Sequence, residues 1–311
     1  RLDKRSVPTL MSLAWLMDQR GHDMTQPTAP VAVITGASSG IGLAAAQDLA
    51  QQGWRLIGVG RDPQRCETAR ASIADAGAAG VDMIQADLSL MAEVRRVADE
   101  IARLTDRVRV LINNAGGMPR ERVVTSEGLG QSFAANHLGA FLLTNSLLPL
   151  LRREAAETAP GTVRILNTSS DASEMIEDMP WKDLQSLDNF SPGGAYCSGK
   201  LANVLFARGL ATRLAKDGIV AHAMHPGSID SNFINHAPDS ARDYMRTLDL
   251  RPPKEGADTL VWLATAKEPG LDSGGYYYQR KPRTPNPLID DDDAVERLWR
   301  ESEALVASVA C

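Results

Sequence analysis

A doubly wound, mainly parallel α/β sheet in a single domain is the fold this sequence predicts, on three observations. Nearly continuous apolar runs rich in Val and Ile recur between residues 31 and 226, as strands buried on both faces require. Stretches with helical spacing separate them, the alternation of a parallel sheet with crossover helices. No internal repeat or low-complexity linker divides the chain. At about 150 residues per domain the 311 residues would allow two domains, but the unbroken alternation favours one.

The elements follow in order. Val31 to Thr35 is a β-branched run ending at Gly36, a buried strand, and Ile41 to Gln52 is a helix stopped by Gly53. Next come a strand at Arg55 to Val59, a helix at Pro63 to Ala76 with Pro in its first turn, and a strand at Val81 to Gln85. Ser89 to Leu104 reads as a helix with Ser89 as N-cap, and Val108 to Ile112 as a strand. Glu127 to Leu151 reads as one long helix bent near Pro149. Val163 to Leu166 is a strand, Tyr196 to Lys216 a helix and Ile219 to Met224 a strand. Residues about 228 to 252 are polar and mixed, an excursion over the sheet edge that forms a substrate loop. Lys254 to Ala266 is a helix, Gly275 to Tyr278 a last edge strand, and Ala294 to Val306 a C-terminal helix. Residues 1–29 read as an N-terminal arm before the domain at 30–311, with Met11 and Met24 as alternative starts.

Composition excludes several classes of function. Lys plus Arg is 33 and Asp plus Glu is 39, so the net charge is −6, and basic residues are scattered. Nucleic-acid binding needs clustered cations, so no nucleic-acid partner is expected. No run of about 18 or more apolar residues could span a bilayer. Cys66, Cys197 and Cys311 lie far apart without metal or disulfide spacing, as free thiols of a cytoplasmic protein would. A homo-oligomer stays open.

Two motifs carry chemistry. The first strand runs into Thr35-Gly36-Ala37-Ser38-Ser39-Gly40-Ile41-Gly42, and a helix follows at once. Glycines are needed where backbone approaches a pyrophosphate and where the helix packs close to the strand. The helix start offers unpaired N–H groups to phosphates, and Ser38 and Ser39 can add hydroxyls. The second motif is Tyr196-Cys197-Ser198-Gly199-Lys200, whose ends share one helix face. Chance predicts about 0.1 Tyr-x-x-x-Lys match here, and there are two. The other, Tyr277 to Lys281, lies on a strand pattern, where the ends stand roughly 13 Å apart. An ammonium about 4 Å from the phenol would bring Tyr196 from a pKa of about 10 to about 7, fit for general acid or base work. Ser170 ends the fifth strand, Asn113 to Gly116 the fourth, and Asp87-Leu88 the third, all on the rim where an open parallel sheet binds ligands.

On these residues the chain resembles a short-chain dehydrogenase/reductase from about residue 30 to 309, with a Rossmann-type fold. Thr35 to Gly42 matches the family's T-G-x-x-x-G-x-G, Asn113 to Gly116 its N-N-A-G, and Tyr196 to Lys200 its Y-x-x-x-K. Asn136 to Phe141, Ala195 to Asn203, His225-Pro226-Gly227 and Leu298-Trp299 are similar to its retinol dehydrogenase-like branch. The resemblance implies a catalytic tetrad of Asn136, Ser170, Tyr196 and Lys200. It implies that Ser170 holds the substrate oxygen, Tyr196 moves a proton as hydride passes to or from a nicotinamide, Lys200 also binds its ribose, and Asn136 holds a water. It also implies cofactor contacts from Gly36, Ser38, Ser39, Gly40, Ile41, Gly42, Asp87, Leu88, Asn114, Ala115, Gly116, Pro226 and Gly227. The gap of 26 residues from Ser170 to Tyr196 implies an inserted loop, with Ser169 as the substitute for Ser170. At the end of the second strand Gly60 stands where an acid would select NAD, and Arg61 follows, so NADP (NADPH) is favoured over NAD.

The expected function is therefore NADP-dependent interconversion of a carbonyl and an alcohol. NAD-dependent alcohol oxidation and non-catalytic NADP(H) sensing are the alternatives. Phe233, Ile234, Tyr244, Met245 and Leu248, facing Met175, Met179 and Trp181, predict a partly apolar small-molecule substrate. No metal is expected. His222 and His225 point to opposite faces of a strand, and Asp290 to Asp293 read as a helix start.

Overall fold

The computed structural model describes residues 29–233 and 237–309, so the N-terminal arm, Ile234 and Cys311 lie outside the described residues. Its centre is an eight-stranded sheet in the order β3-β2-β1-β4-β5-β6-β7-β8. The strands are β1 (Val31–Thr35), β2 (Arg55–Gly60), β3 (Gly80–Gln85), β4 (Val110–Asn113), β5 (Arg164–Thr168), β6 (Val220–Met224), β7 (Tyr276–Tyr278) and β8 (Lys281–Pro282). β1 to β7 pair in parallel, and β8 returns antiparallel on β7. The order reverses between β1 and β4, where neighbouring strands send their connections to opposite faces and leave a crevice at their carboxyl ends.

The helices are α1 (Gly40–Gln51), α2 (Pro63–Asp75), α3 (Met91–Leu104), α4 (Gly139–Ala155), α5 (Pro192–Leu214), α6 (Asp239–Arg246), α7 (Pro253–Thr265) and α8 (Asp292–Ser308). Among the described residues the two large apolar cores lie one on each sheet face. On one face, Val94, Leu143, Leu205 and Leu298 of α3, α4, α5 and α8 pack against Val33, Leu111 and Ile165. On the other, Ala46, Leu49 and Ile73 of α1 and α2, with Leu260 of α7, cover Ile34, Ile112 and Leu166. β1, β4, β5 and β6 are buried at every position, which explains their unbroken apolar runs.

Several expectations are corrected. Ser89 is not the N-cap of α3. It bonds Asp87 through its N–H and its hydroxyl, and the helix starts two residues later. The Glu127 carboxylate, 36 residues away, accepts from Met91 and Ala92 N–H and does the capping. Glu127 is thus not helical. Helix begins at Gln131–Phe133, passes through a π segment at Ala134–Leu138, and runs on as α4 past Pro149. α5 begins at Pro192, capped by Ser191, so Tyr196 lies in the second turn rather than at the start. β7 is not the sheet edge, because residues Gln279 and Arg280, both at positive φ, turn the chain back into β8.

Candidate active site

Backbone geometry at the crevice is set by glycine. Gly36 has φ +69°, and a Cβ there would stand 2.9 Å from Asn114 Nδ2. Gly40 (φ +56°) turns the chain into α1, and a Cβ on Gly42 would stand 2.4 Å from the Gly36 carbonyl oxygen. A side chain at any of the three strains or closes the loop. Ser39, in the N-cap position of α1, gives its side chain no cap bond, and no acid lies in the first turn. The first N–H groups of α1 therefore face the crevice without a side-chain acceptor.

The loop is laced to its neighbours. Thr35 Oγ1 accepts from the N–H groups of Asn114 (2.9 Å) and Ala115 (3.0 Å), and Asn114 Nδ2 donates to the Thr35 carbonyl (3.1 Å). Thr168 Oγ1 donates to Asn114 Oδ1, joining the end of β5 to the same knot. Beside it lies a cleft of about 950 Å³ that runs from Arg61 at the end of β2 to Leu248 beyond β6. Gly36, Ser38, Ser39, Gly40, Ile41, Asp87, Leu88, Asn114, Ala115, Gly116, Pro226 and Gly227 all line it. Gly42 does not, and acts through the close packing just described. The cleft, the glycine cradle and the uncapped helix start together fit an extended, phosphate-bearing dinucleotide.

At the far end of the cleft stand Tyr196, Lys200, Asn136 and Ser170. Tyr196 and Lys200 are buried, with Lys200 Nζ over the Tyr196 ring at 5.5 Å from its centroid. Lys200 Nζ also donates to the Thr168 carbonyl (3.2 Å). Ser169 is excluded as a substitute for Ser170. It is buried and spends its hydroxyl on the Lys200 carbonyl (2.7 Å). The Ser170 hydroxyl donates to Asp171 Oδ1 (2.9 Å) and accepts from Ala172 N–H (3.2 Å). Asn136 sits in the π segment, where one extra residue per turn displaces its side chain toward Gly117. Its amide accepts from Gly117 N–H, and donates to the carbonyls of Gly117 and Ser132, each within 3.0 Å.

One electrostatic expectation fails. Burial, opposed only in part by Ser170, raises the Tyr196 phenol above its ordinary value instead of lowering it. The reason is that burial removes water from both groups, and it depresses Lys200, which stands over the ring, to about 8. At neutral pH the phenol keeps its proton.

Among the remaining expectations, Phe233, Tyr244, Met245, Leu248 and Met175 line the cleft. Phe233 packs on Tyr196 with ring centroids 5.4 Å apart. Met179 and Trp181 do not: Met179 is buried in the main core, and Trp181 packs against it beneath Arg297. His222 is held by the Pro269 carbonyl and Gly275 N–H, and His225 Nδ1 accepts from Asp171 N–H. Asp291 caps α8, as the acidic run predicts. Sequence reasoning missed Asp171, Met118 and Arg65, all on the cleft wall. It also missed His137 and Asn203. Buried His137 bonds Ser302 of α8 through Nε2 and faces Asn203, while Asn203 Nδ2 donates to the same Thr168 carbonyl that holds Lys200. The signal for both was their place in the stretches Asn136 to Phe141 and Ala195 to Asn203 that resemble the retinol dehydrogenase-like branch.

A parallel sheet with a glycine-lined dinucleotide cleft and a Ser–Tyr–Lys cluster at its end defines the class of nucleotide-dependent oxidoreductases. The model of the short chain dehydrogenase family matches residues 30–241. Retinol dehydrogenase 13 of Homo sapiens is 34% identical over 286 residues, covering 88% of this chain and 83% of that one. The Pseudomonas aeruginosa RhlG/NADP active-site complex superposes with a TM-score of 0.65, with 26% identity over 82% of this chain and 96% of that one. The 3-ketoacyl-(acyl-carrier-protein) reductase from Brucella melitensis complexed with NADH gives a TM-score of 0.63 at 25% identity, covering 79% and 95%. The chain belongs to the short-chain dehydrogenase/reductase family, in its retinol dehydrogenase-like branch, and is an NAD(P)-dependent oxidoreductase.

Proposed function

We propose that the protein is an NADP-dependent oxidoreductase that reduces a partly apolar carbonyl compound to its alcohol, with Tyr196 as the acid. The observation that carries this reading is the meeting of Ser170, Tyr196 and Lys200 at one end of the glycine-lined cleft. A bound nicotinamide would supply the hydride. Ser170 would hold the substrate oxygen, and Tyr196 would give it a proton. A buried phenol that stays protonated at neutral pH is in the state a reduction needs. Lys200 would bind the nicotinamide ribose, with its charge fixed by the Thr168 carbonyl. Asn136 would keep Gly117 and the floor beneath Lys200 in register.

Gly36, Ser38, Ser39, Gly40 and Ile41 would hold the pyrophosphate, with Asn114, Ala115 and Gly116 on the adenosine ribose and Asp87 and Leu88 on the adenine. Pro226 and Gly227 would face the nicotinamide. Preference for NADP rests on the end of β2. A Cβ on Gly60 would stand 2.8 Å from Ser38 Oγ, so an acid that selects NAD has no room there. Arg61 is exposed on the cleft wall and Arg65 joins it one turn into α2, two cations for a 2′-phosphate. Two buried free thiols, Cys66 and Cys197, support a cytoplasmic setting within this proposal.

The test is oxidation of NADPH and NADH, measured side by side against small, aromatic and steroidal ketones. The expected result is turnover with NADPH at a kcat/KM at least tenfold above NADH, and loss of that gap in Arg61→Ala/Arg65→Ala. A gap favouring NADH would reverse the cofactor assignment. Tight NADPH binding with no turnover across the panel would leave a cofactor-sensing protein.

A further inference from the structure

We propose that Asp171 is a charge filter at the reacting end of the cleft, so that the substrate class is neutral or cationic carbonyl compounds and not carbonyl compounds bearing a carboxylate near the reacting carbon. The proposal rests on the carbonyl-reduction reading above. Asp171 follows Ser170 directly, its side chain is 56% exposed, and it lines the cleft. Its Oδ1 accepts a hydrogen bond from the Ser170 hydroxyl at 2.9 Å. A substrate oxygen within hydrogen-bond reach of Ser170 Oγ therefore lies no more than about 6 Å from this carboxylate. A second negative group on the substrate would enter the same small volume.

The carboxylate is also held in place. Asp171 N–H donates to Nδ1 of buried His225 (3.1 Å), and His225 Nε2 stands 3.7 Å from Asp171 Oδ2. Burial lowers the His225 pKa, so the ring next to Asp171 is neutral at pH 7 and does not cancel its charge. The same negative charge is near enough to push up the phenol of Tyr196 and the thiol of Cys197.

Nearby cations are otherwise engaged. Lys200 lies beneath the Tyr196 ring on the Thr168 carbonyl. Arg283 makes a two-pronged pair with Glu174. Arg120 on the cleft wall also has an interaction partner. Arg61 and Arg65 sit at the end of β2, three strand spacings or about 14 Å from β5, beyond the screening length of about 8 Å in physiological salt. Lys200 keeps its positive charge but is buried, so the exposed charge bonded to Ser170 is the negative one of Asp171. Ser170 has one proton, so a substrate oxygen must also compete with Asp171 for it. A substrate cation that pairs with Asp171 would free that proton.

The test uses three ketones of comparable size that carry the second group on or close to the reacting carbon: methyl benzoylformate, benzoylformate and 3-(dimethylamino)propiophenone. Binding to the NADPH-loaded protein is read by the fluorescence of the bound cofactor, and turnover separately by NADPH absorbance. The expected result is that the carboxylate binds on the order of tenfold or more weaker than the ester, and the amine at least as well as the ester. In Asp171→Asn the ester-to-carboxylate ratio should fall toward one. In the unmutated protein the same ratio should shrink as salt rises from 20 to 500 mM, on the order of a tripling of the carboxylate's relative affinity. A ratio near one in the unmutated protein at low salt, or one unmoved by both salt and Asp171→Asn, would overturn the filter. Ketones that bind with the expected ratio but are not reduced would instead count against the carbonyl-reduction reading.

Discussion

The two halves of the cleft are built on different principles. The cofactor half is made of backbone, with Gly36, Gly42 and Asn114 packed so closely that a single Cβ would clash, and Thr35 knotting β1 to β4. The substrate half is made of side chains on exposed elements. α6 has no buried residue, Tyr244 is 65% exposed and Met175 77%. A dinucleotide demands one fixed backbone path, whereas a substrate wall can vary residue by residue without disturbing the sheet beneath it. Mutations should therefore affect the cofactor half through structure and the substrate half through affinity alone.

The largest effect is expected at the junction of the two halves. Tyr196→Phe removes one oxygen and should lower kcat about 10³-fold, with the NADPH Kd unchanged within about twofold, as measured by steady-state rates and fluorescence titration. Turnover within tenfold of the parent would remove Tyr196 from its role. Next comes Gly42→Ala in the cofactor half. Its Cβ would meet backbone that cannot move aside, so a loss of about 2–3 kcal/mol in urea unfolding and a much weaker NADPH affinity are expected.

Acid should act on the supporting side of the site. Burial lowers His137 to about 4, against an unfolded value of about 6.5. Between those values the unfolded chain binds the extra proton and the folded chain does not. Stability conferred by neutral His137 is thus complete above about pH 6.5 and lost as pH falls toward 4, by up to about 3 kcal/mol. Thermal melts at pH 7 and 5 should separate by more in the parent than in His137→Gln. At the other extreme, Lys200 at about 8 loses its charge as pH rises through that value, so kcat/KM should decline above pH about 8. The smallest effect on the fold is expected in the substrate half. Tyr244→Ala should change stability by less than about 0.5 kcal/mol while raising KM for aromatic ketones a few-fold.

This contrast also explains what could be read from the sequence. The strands were legible because burial on both faces leaves an apolar run, and the glycine loop because only glycine tolerates its geometry. The Tyr196–Lys200 pair was legible because helical spacing alone puts both groups on one face. Long-range partners were not. Nothing near Met91 shows that Glu127 caps α3, and nothing in Ala134 to Leu138 marks the π segment that displaces Asn136. Met179 and Trp181 fit a substrate wall by sequence because an inserted loop rich in apolar groups looks alike whether it faces a ligand or the core. Spacing shows that Lys200 is near Tyr196, but not that it lies over the ring or that both groups lose water, which is what raises the phenol.

The most direct test is a crystal structure of the protein with NADP bound. The nicotinamide ring should lie between Gly227 and Tyr196, with its ribose on Lys200 and its 2′-phosphate against Arg61 and Arg65. A dinucleotide bound with its nicotinamide ring away from the space beside the Ser170 and Tyr196 hydroxyls would contradict the account.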